Sequence, residues 1–300
     1  MDLTTAVLAA LVLVNIAFAV GWVVAVRRHR LRGRPQTADV AIGSLTTFLD
    51  TLGIGSFAPT TALLKFRGKV ADELIPGTLN VGLNAAAFIE TFLLIGLVRV
   101  QPALLASMTA SAAAGAWLGS GIVSRMRRRS IQLVMGAALL IAAGFFAMNN
   151  LGAFPEGGAT MGLAGWKFPF AVAVSFVLGA LMCIGIGNYA PLMILLSLLG
   201  MDPLAAYPIM MASDGLLQPV ASLGFFRSGR FSHVASLGLT LGSLVGVTLA
   251  YCLMKYVVMR SQIKWVRWLV IAVVIYSAVA MLVSARRERR AARAAPAVAS

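Results

Sequence analysis

The sequence predicts an all-α integral membrane protein built as an inverted repeat, and three observations carry that prediction. Only 12% of the 300 residues are charged while 60% are hydrophobic, about half the charged share of a soluble protein. The apolar residues gather into runs of the length a bilayer crossing needs, about 20 residues each. A shift of 132 residues then lays one half of the chain over the other.

Seven of the apolar runs are simple: 5–26, 75–98, 102–124, 131–148, 203–226, 234–258 and 266–285. Two more, 40–65 and 168–199, are interrupted by Gly and Pro. No polar segment between them is long enough for a soluble domain, so residues 1–300 read as one membrane domain. Its parts are an extra N-terminal span at 5–26, a first repeat at 40–148, a second at 168–285 and a basic cytoplasmic tail at 286–300. The first span resembles a secretory leader in Ala17-Phe18-Ala19, but the basic residues follow it, as Arg27, Arg28, Arg30, Arg32 and Arg34. That order predicts a retained span with its N-terminus outside.

A net charge of +15 would point to nucleic acid in a soluble protein. Here the basic residues cluster beside spans, which membrane topology already requires, so nucleic acid is not expected as a partner. Cys183 and Cys252 both lie in apolar runs, and His29 and His233 stand apart at span ends. Neither a disulfide framework nor a metal ligand set follows, and no cofactor is expected.

The register of the repeat is specific. Gly53-Ile54-Gly55-Ser56-Phe57-Ala58-Pro59 falls on Gly185-Ile186-Gly187-Asn188-Tyr189-Ala190-Pro191, and Gly68 and Pro76 fall on Gly200 and Pro208. Charge counting then sets how the broken runs insert. If both cross fully, 14 of the 25 Lys and Arg lie on the cytoplasmic side; if both are re-entrant hairpins, 19 do. The positive-inside bias favours hairpins. An odd number of crossings separates them, so they dip from opposite faces and their tips meet near the midplane, as in many secondary transporters. The four basic residues between Lys255 and Arg267 fall on the outer face in this scheme, and nothing in the sequence explains them.

A non-helical turn at membrane depth has to line a cavity or lie buried in protein. The turns Gly53-Ile54-Gly55 and Gly185-Ile186-Gly187 meet that condition through glycine's conformational range. Ser56 and Asn188 follow as N-cap types, and Pro59 and Pro191 fit a first helical turn. Each hairpin thus reads as half-helix, turn, cap, half-helix, with the second half-helix aiming its N-terminus at the centre. A helix N-terminus attracts anions. The expected ligands of a small anionic substrate are therefore Gly53, Ile54, Gly55, Ser56, Thr60, Gly185, Ile186, Gly187, Asn188 and Tyr189. Asp50 and Asp214 lie in apolar runs and are candidates for coupling to a proton or sodium ion. Glu90 has only Thr91 as a polar neighbour in sequence and reads as structural. Asn80, Asn84 and Gln218 would line the cavity or bridge helices.

The pattern Gly43-Ser44-x4-Leu49-Asp50-x2-Gly53-Ile54-Gly55-Ser56-x2-Pro59, repeated as Gly179-x5-Gly185-Ile186-Gly187-Asn188-x2-Pro191, resembles the TauE/SafE family of sulfite exporters. The resemblance spans roughly residues 38 to 285. It implies a multi-pass permease of the bacterial inner membrane for sulfite, sulfonates or related organosulfur anions, driven by an ion gradient. It also implies that the two Gly turns with Ser56, Pro59, Asn188 and Pro191 form the site. The competing readings are a passive anion channel and an intramembrane hydrolase using Asp50 and Asp214. Nucleophile and base have to come within hydrogen-bond reach, and the sequence shows no such pair, so an enzyme is not expected.

Overall fold

A computed structural model of the chain describes residues 3–52, 54–95, 99–153, 155–185, 187–202, 205–256 and 263–294. Within them the protein is helical: eleven α-helices and no sheet, with one isolated bridge between Thr160 and Met201. The helices are α1 (Leu3–Arg28), α2 (Thr37–Thr51), α3 (Phe57–Arg67), α4 (Ile75–Leu94), α5 (Pro102–Val123), α6 (Arg128–Asn150), α7 (Lys167–Met182), α8 (Tyr189–Leu198), α9 (Ala206–Ser228), α10 (His233–Tyr256) and α11 (Ile263–Ala294). Each of the seven simple apolar runs contains one helix, and the basic stretch after residue 285 continues α11 as far as Ala294. Four described helices are long and apolar enough to cross a membrane: α1, α6, α9 and α10. The molecule turns apolar side chains outward, with Leu13, Ile16 and Val20 on α1, Ile122 on α5 and Leu249 on α10 all exposed. A soluble surface would not carry so much exposed Leu, Ile and Val.

The duplication is visible element by element. Shifted by 132, α3 covers 189–199, where α8 runs from Tyr189 to Leu198. A glycine with positive φ follows each helix, Gly68 at 66° as the cap of α3 and Gly200 at 89° just beyond the cap of α8. The packing repeats too. α2 lies parallel to α10, with Asp39, Val40 and Ser44 against Gly238, Gly242 and Gly246. α7 lies parallel to α5, with Phe176 and Ala180 against Gly115 and Gly119. Small residues at four-residue spacing let these backbones approach closely, as membrane helix pairs require. α4 and α9 instead run antiparallel: Gly77 meets Phe225, and Ala87 and Thr91 meet Gly215.

Both broken runs fold back on themselves. α2 and α3 have 15 and 11 residues, or about 22 and 16 Å at 1.5 Å per residue, too short to cross about 30 Å of hydrocarbon. Arg67 at the end of α3 pairs with Asp39 and Gln36 at the start of α2. Halfway along, the Thr60 hydroxyl donates to Thr46 at 2.8 Å. In the second half, Lys167 at the start of α7 donates to the Leu199 carbonyl beyond the end of α8 at 2.8 Å. The base of the α2–α3 hairpin lies with Asp72 and Gln132, since Lys65 pairs with Asp72 at 2.7 Å and Gln132 donates to the same carboxylate. The base of the α7–α8 hairpin lies with Gln101, Thr160 and Leu163. Gln101 precedes α5 and Met126 follows it, and α5 is about 33 Å long from its 22 residues.

α1 supplies something the duplicated halves lack. Pro219 sits inside α9 and has no N–H to donate to the Gly215 carbonyl one turn back. Asn15 of α1 donates to that carbonyl at 3.3 Å and accepts from Asn84 of α4 at 2.8 Å. Replacing Asn15 with Leu should cost about 1 kcal/mol, typical of an interhelical bond in a membrane. In a Pro219→Ala background the helix satisfies the carbonyl itself, so the same replacement should cost measurably less. Equal losses of thermal stability in the two backgrounds would show that Asn15 does not serve this carbonyl.

Candidate functional site

The tips of the two hairpins meet. Ile54, Gly55, Phe57 and Ala58 from the first and Gly187, Tyr189, Ala190 and Pro191 from the second line one internal cavity, closed on another side by Ala142, Phe145 and Phe146 of α6. Gly55 and Gly185 take φ of 86° and 101°, which a side chain would strain. Gly187 does not, and a Cβ added there meets nothing within 4 Å. Gly53 and Ile186, the remaining turn residues expected at the site, lie outside the described residues.

The cavity is wrapped by two helix N-termini. Within α3 the first internal bond runs from Thr60 N–H to the Ser56 carbonyl, and within α8 from Leu192 N–H to the Asn188 carbonyl. Pro59 and Pro191, each third in its helix, contribute no N–H. The N–H groups of Phe57, Ala58, Tyr189 and Ala190 therefore have no partner inside their own helices, and all four residues line the cavity. Its volume is about 30 Å³, room for little more than a water. The tips have to part before a larger guest enters.

Several expected ligands do other work. Ser56 and Asn188 occupy N-cap positions, as expected, but neither side chain makes a cap bond. Ser56 turns its hydroxyl and backbone N–H to the Asp50 carboxyl, and Asn188 donates to Asp214 at 3.2 Å. A carboxyl oxygen is a stronger acceptor than the water or amide alternatives, which explains the preference. Both side chains are buried, and the Asn188 amide oxygen has no partner. Thr60 is not a ligand: it is fully buried and bonded to Thr46, away from the cavity wall. Tyr189 lines the cavity while its hydroxyl donates to Tyr207 at 2.7 Å.

The acids form a group that sequence spacing did not reveal. Glu90 accepts from Thr51 at 2.7 Å, and lies within electrostatic reach of both Asp50 and Asp214. Asp50 and Asp214 also sense each other. Thr91, the neighbour assigned to Glu90 from the sequence, donates to the Ala87 and Met211 carbonyls instead. Glu90 is buried, while Asp50 and Asp214 are partly accessible. Ser56 and Asn188 thus stand between the carboxyls and the cavity-lining turns. Among the described residues, no three His, Cys, Asp or Glu are placed to hold a metal ion, so the acids are close in field without sharing a coordination sphere.

Asn84 bridges α4 to α1, and Asn80 bonds within α4 to the Pro76 carbonyl; neither lines the cavity. Ala142, Phe145 and Phe146 of α6 carried no signal in the repeat, because the corresponding positions 274, 277 and 278 are Val, Ser and Ala. Comparison with protein-family models, curated proteins and solved structures finds no match to this chain.

Proposed function

We propose that the chain is a secondary transporter of a small anion, which binds between the N-termini of α3 and α8. The observation that carries this reading is that the first turns of both helices line one cavity. Each N-terminus stabilises a monoanion by about 2 kcal/mol at 4 Å in a dielectric near 20. Hydrogen bonds from N–H to a charged guest add about 1.5–3 kcal/mol each. Together these are comparable with the several kcal/mol that burying one ion costs after relaxation. A cation gains none of this.

Membrane placement follows the same reading. The two hairpins are re-entrant and the halves form an inverted repeat, in a bacterial inner membrane with the N-terminus outside and the C-terminus cytoplasmic. Support comes from the hairpin bases, tied off at opposite ends of α5, and from the antiparallel α4–α9 pair. Two equivalent helices crossing antiparallel are related by an axis perpendicular to their length, which lies in the membrane plane. The motif resemblance to TauE/SafE permeases makes sulfite, a sulfonate or a related organosulfur anion the favoured substrate. The three carboxyls couple transport to protons, because a bound anion and an ionised carboxyl repel, so that anion binding draws a proton in.

Purified protein titrated with sulfite, methanesulfonate, thiosulfate and sulfate should gain thermal stability with at least one of them, since a ligand bound to the folded state alone stabilises it. Gly187→Leu fills the small space between the tips and should abolish that gain, while Gly187→Ala, whose one added carbon meets nothing within 4 Å, should keep the folded yield and weaken the gain. Ser56→Ala combined with Asn188→Ala should weaken binding without abolishing it. Anion stabilisation that survives Gly187→Leu unchanged would place the site elsewhere.

A further inference from the structure

A second concavity, which shares no lining residue with the cavity at the hairpin tips, lies between the C-terminal ends of α5 and α9. It is an open cleft of about 720 Å³ with Trp117, Leu118, Gly121, Ile122, Arg125 and Arg227 on its walls. Its two kinds of lining are separated along α5. Trp117, Leu118 and Ile122 are exposed and apolar, and one turn further on comes Arg125. Arg227 of α9 faces the same space.

Some arginines at this end of the molecule are engaged, and others, such as Arg28 and Arg127, stand exposed at helix ends outside the cleft. Arg67 pairs with Asp39, Arg128 with Glu73, and Arg230 donates to the Met126 carbonyl at 2.6 Å. Among the described residues, Arg125 and Arg227 have neither an ion pair nor a hydrogen bond. Both are exposed. Cationic side chains suit helix C-termini, but that accounts for their position along the helix and not for two unpaired guanidinium groups sharing one cleft. Two forks that match phosphate oxygens, over an apolar wall ending in an exposed indole, suit a ligand with an anionic head and a hydrocarbon tail.

We propose that this cleft is a binding site for an acidic phospholipid, with the phosphate between Arg125 and Arg227 and an acyl chain along Trp117, Leu118 and Ile122. Basic pockets between membrane helices recognise anionic headgroups in this way. The Gly121 position keeps the floor open, because a Cβ there meets nothing within 4 Å. The site is independent of the anion cavity.

The test is native mass spectrometry of the delipidated full-length protein, titrated with phosphatidylglycerol, phosphatidylcholine or inorganic phosphate. Phosphatidylglycerol should bind selectively, and each Arg→Gln replacement should weaken it about fivefold. Gly121→Leu should weaken it by obstruction with both charges present, and since its side chain enters open space it should leave folding intact. Equal binding of phosphatidylcholine, retention of phosphatidylglycerol by the Arg125→Gln/Arg227→Gln protein, or equal binding by inorganic phosphate would each overturn the proposal; the last would reassign the arginines to a free anion. A dimer held through this face would appear as a doubled mass lost in Gly121→Leu, and would overturn it as well.

Discussion

Replacing Gly115 with valine should abolish the folded protein. A Cβ on Gly115 would collide with the Phe176 carbonyl oxygen of α7, and one on Gly179 with the Ala112 carbonyl oxygen of α5. Neither obstacle is a side chain that can rotate away. Overpacking a core usually costs about 1–3 kcal/mol because neighbours shift. Here the neighbour is the backbone of the half-helix that carries the second hairpin, so relief requires α7 to leave α5. The expected loss exceeds that range and takes the cavity wall at Gly187 with it. Gly144, also in a helix interior, is open on all sides. Gly144→Ala should therefore stabilise the protein by about 0.5–1 kcal/mol through reduced chain entropy. Thermal unfolding in detergent checks both, and a folded Gly115→Val protein of ordinary stability would refute the packing described for α5 and α7.

Neutralising the carboxyl group should uncouple transport. In proteoliposomes, Asp50→Asn, Glu90→Gln and Asp214→Asn should each reduce proton-driven anion accumulation on the order of tenfold or more, a coupling energy of 1–3 kcal/mol. Exchange of anion for anion, which needs no net proton movement, should persist. The amides keep the shape of the carboxyls and their bonds to Ser56, Thr51 and Asn188, so lost folding would not explain a selective effect. In the unmodified protein, lowering the pH on the side of entry should speed uptake, because protons remove the charge that opposes the anion. The largest loss is expected at Glu90, which lies in the field of both aspartates. Undiminished accumulation in all three variants would dismiss proton coupling, and dependence on external sodium would replace it.

Much of the architecture is legible in the chain because the lipid leaves few options. Backbone groups in hydrocarbon have to bond within their own segment, so apolar runs became helices close to their expected limits, including α3 and α8 beginning one residue after Ser56 and Asn188. The Gly-x-Gly turns and the two prolines marked the breaks because few other residues satisfy the backbone there. The acids were harder. Asp50, Glu90 and Asp214 are 40 and 124 residues apart in sequence, and none has a counterpart in the other repeat: positions 182, 222 and 82 hold Met, Ser and Gly. Self-comparison cannot see a group that breaks the symmetry.

The sequence by itself determined the helices, the duplication and the place of each break, since these depend on apolar length, glycine and proline, all read along the chain. Tertiary structure alone decided the partners of each polar group. It turned Ser56 and Asn188 from helix caps to the carboxyls, took Thr60 away from the cavity, brought Glu90 to Asp50 and Asp214, and left Arg125 and Arg227 unpaired around one cleft. A polar side chain in a dry interior bonds to the strongest acceptor within reach, and which acceptor that is depends on helix packing across the whole chain.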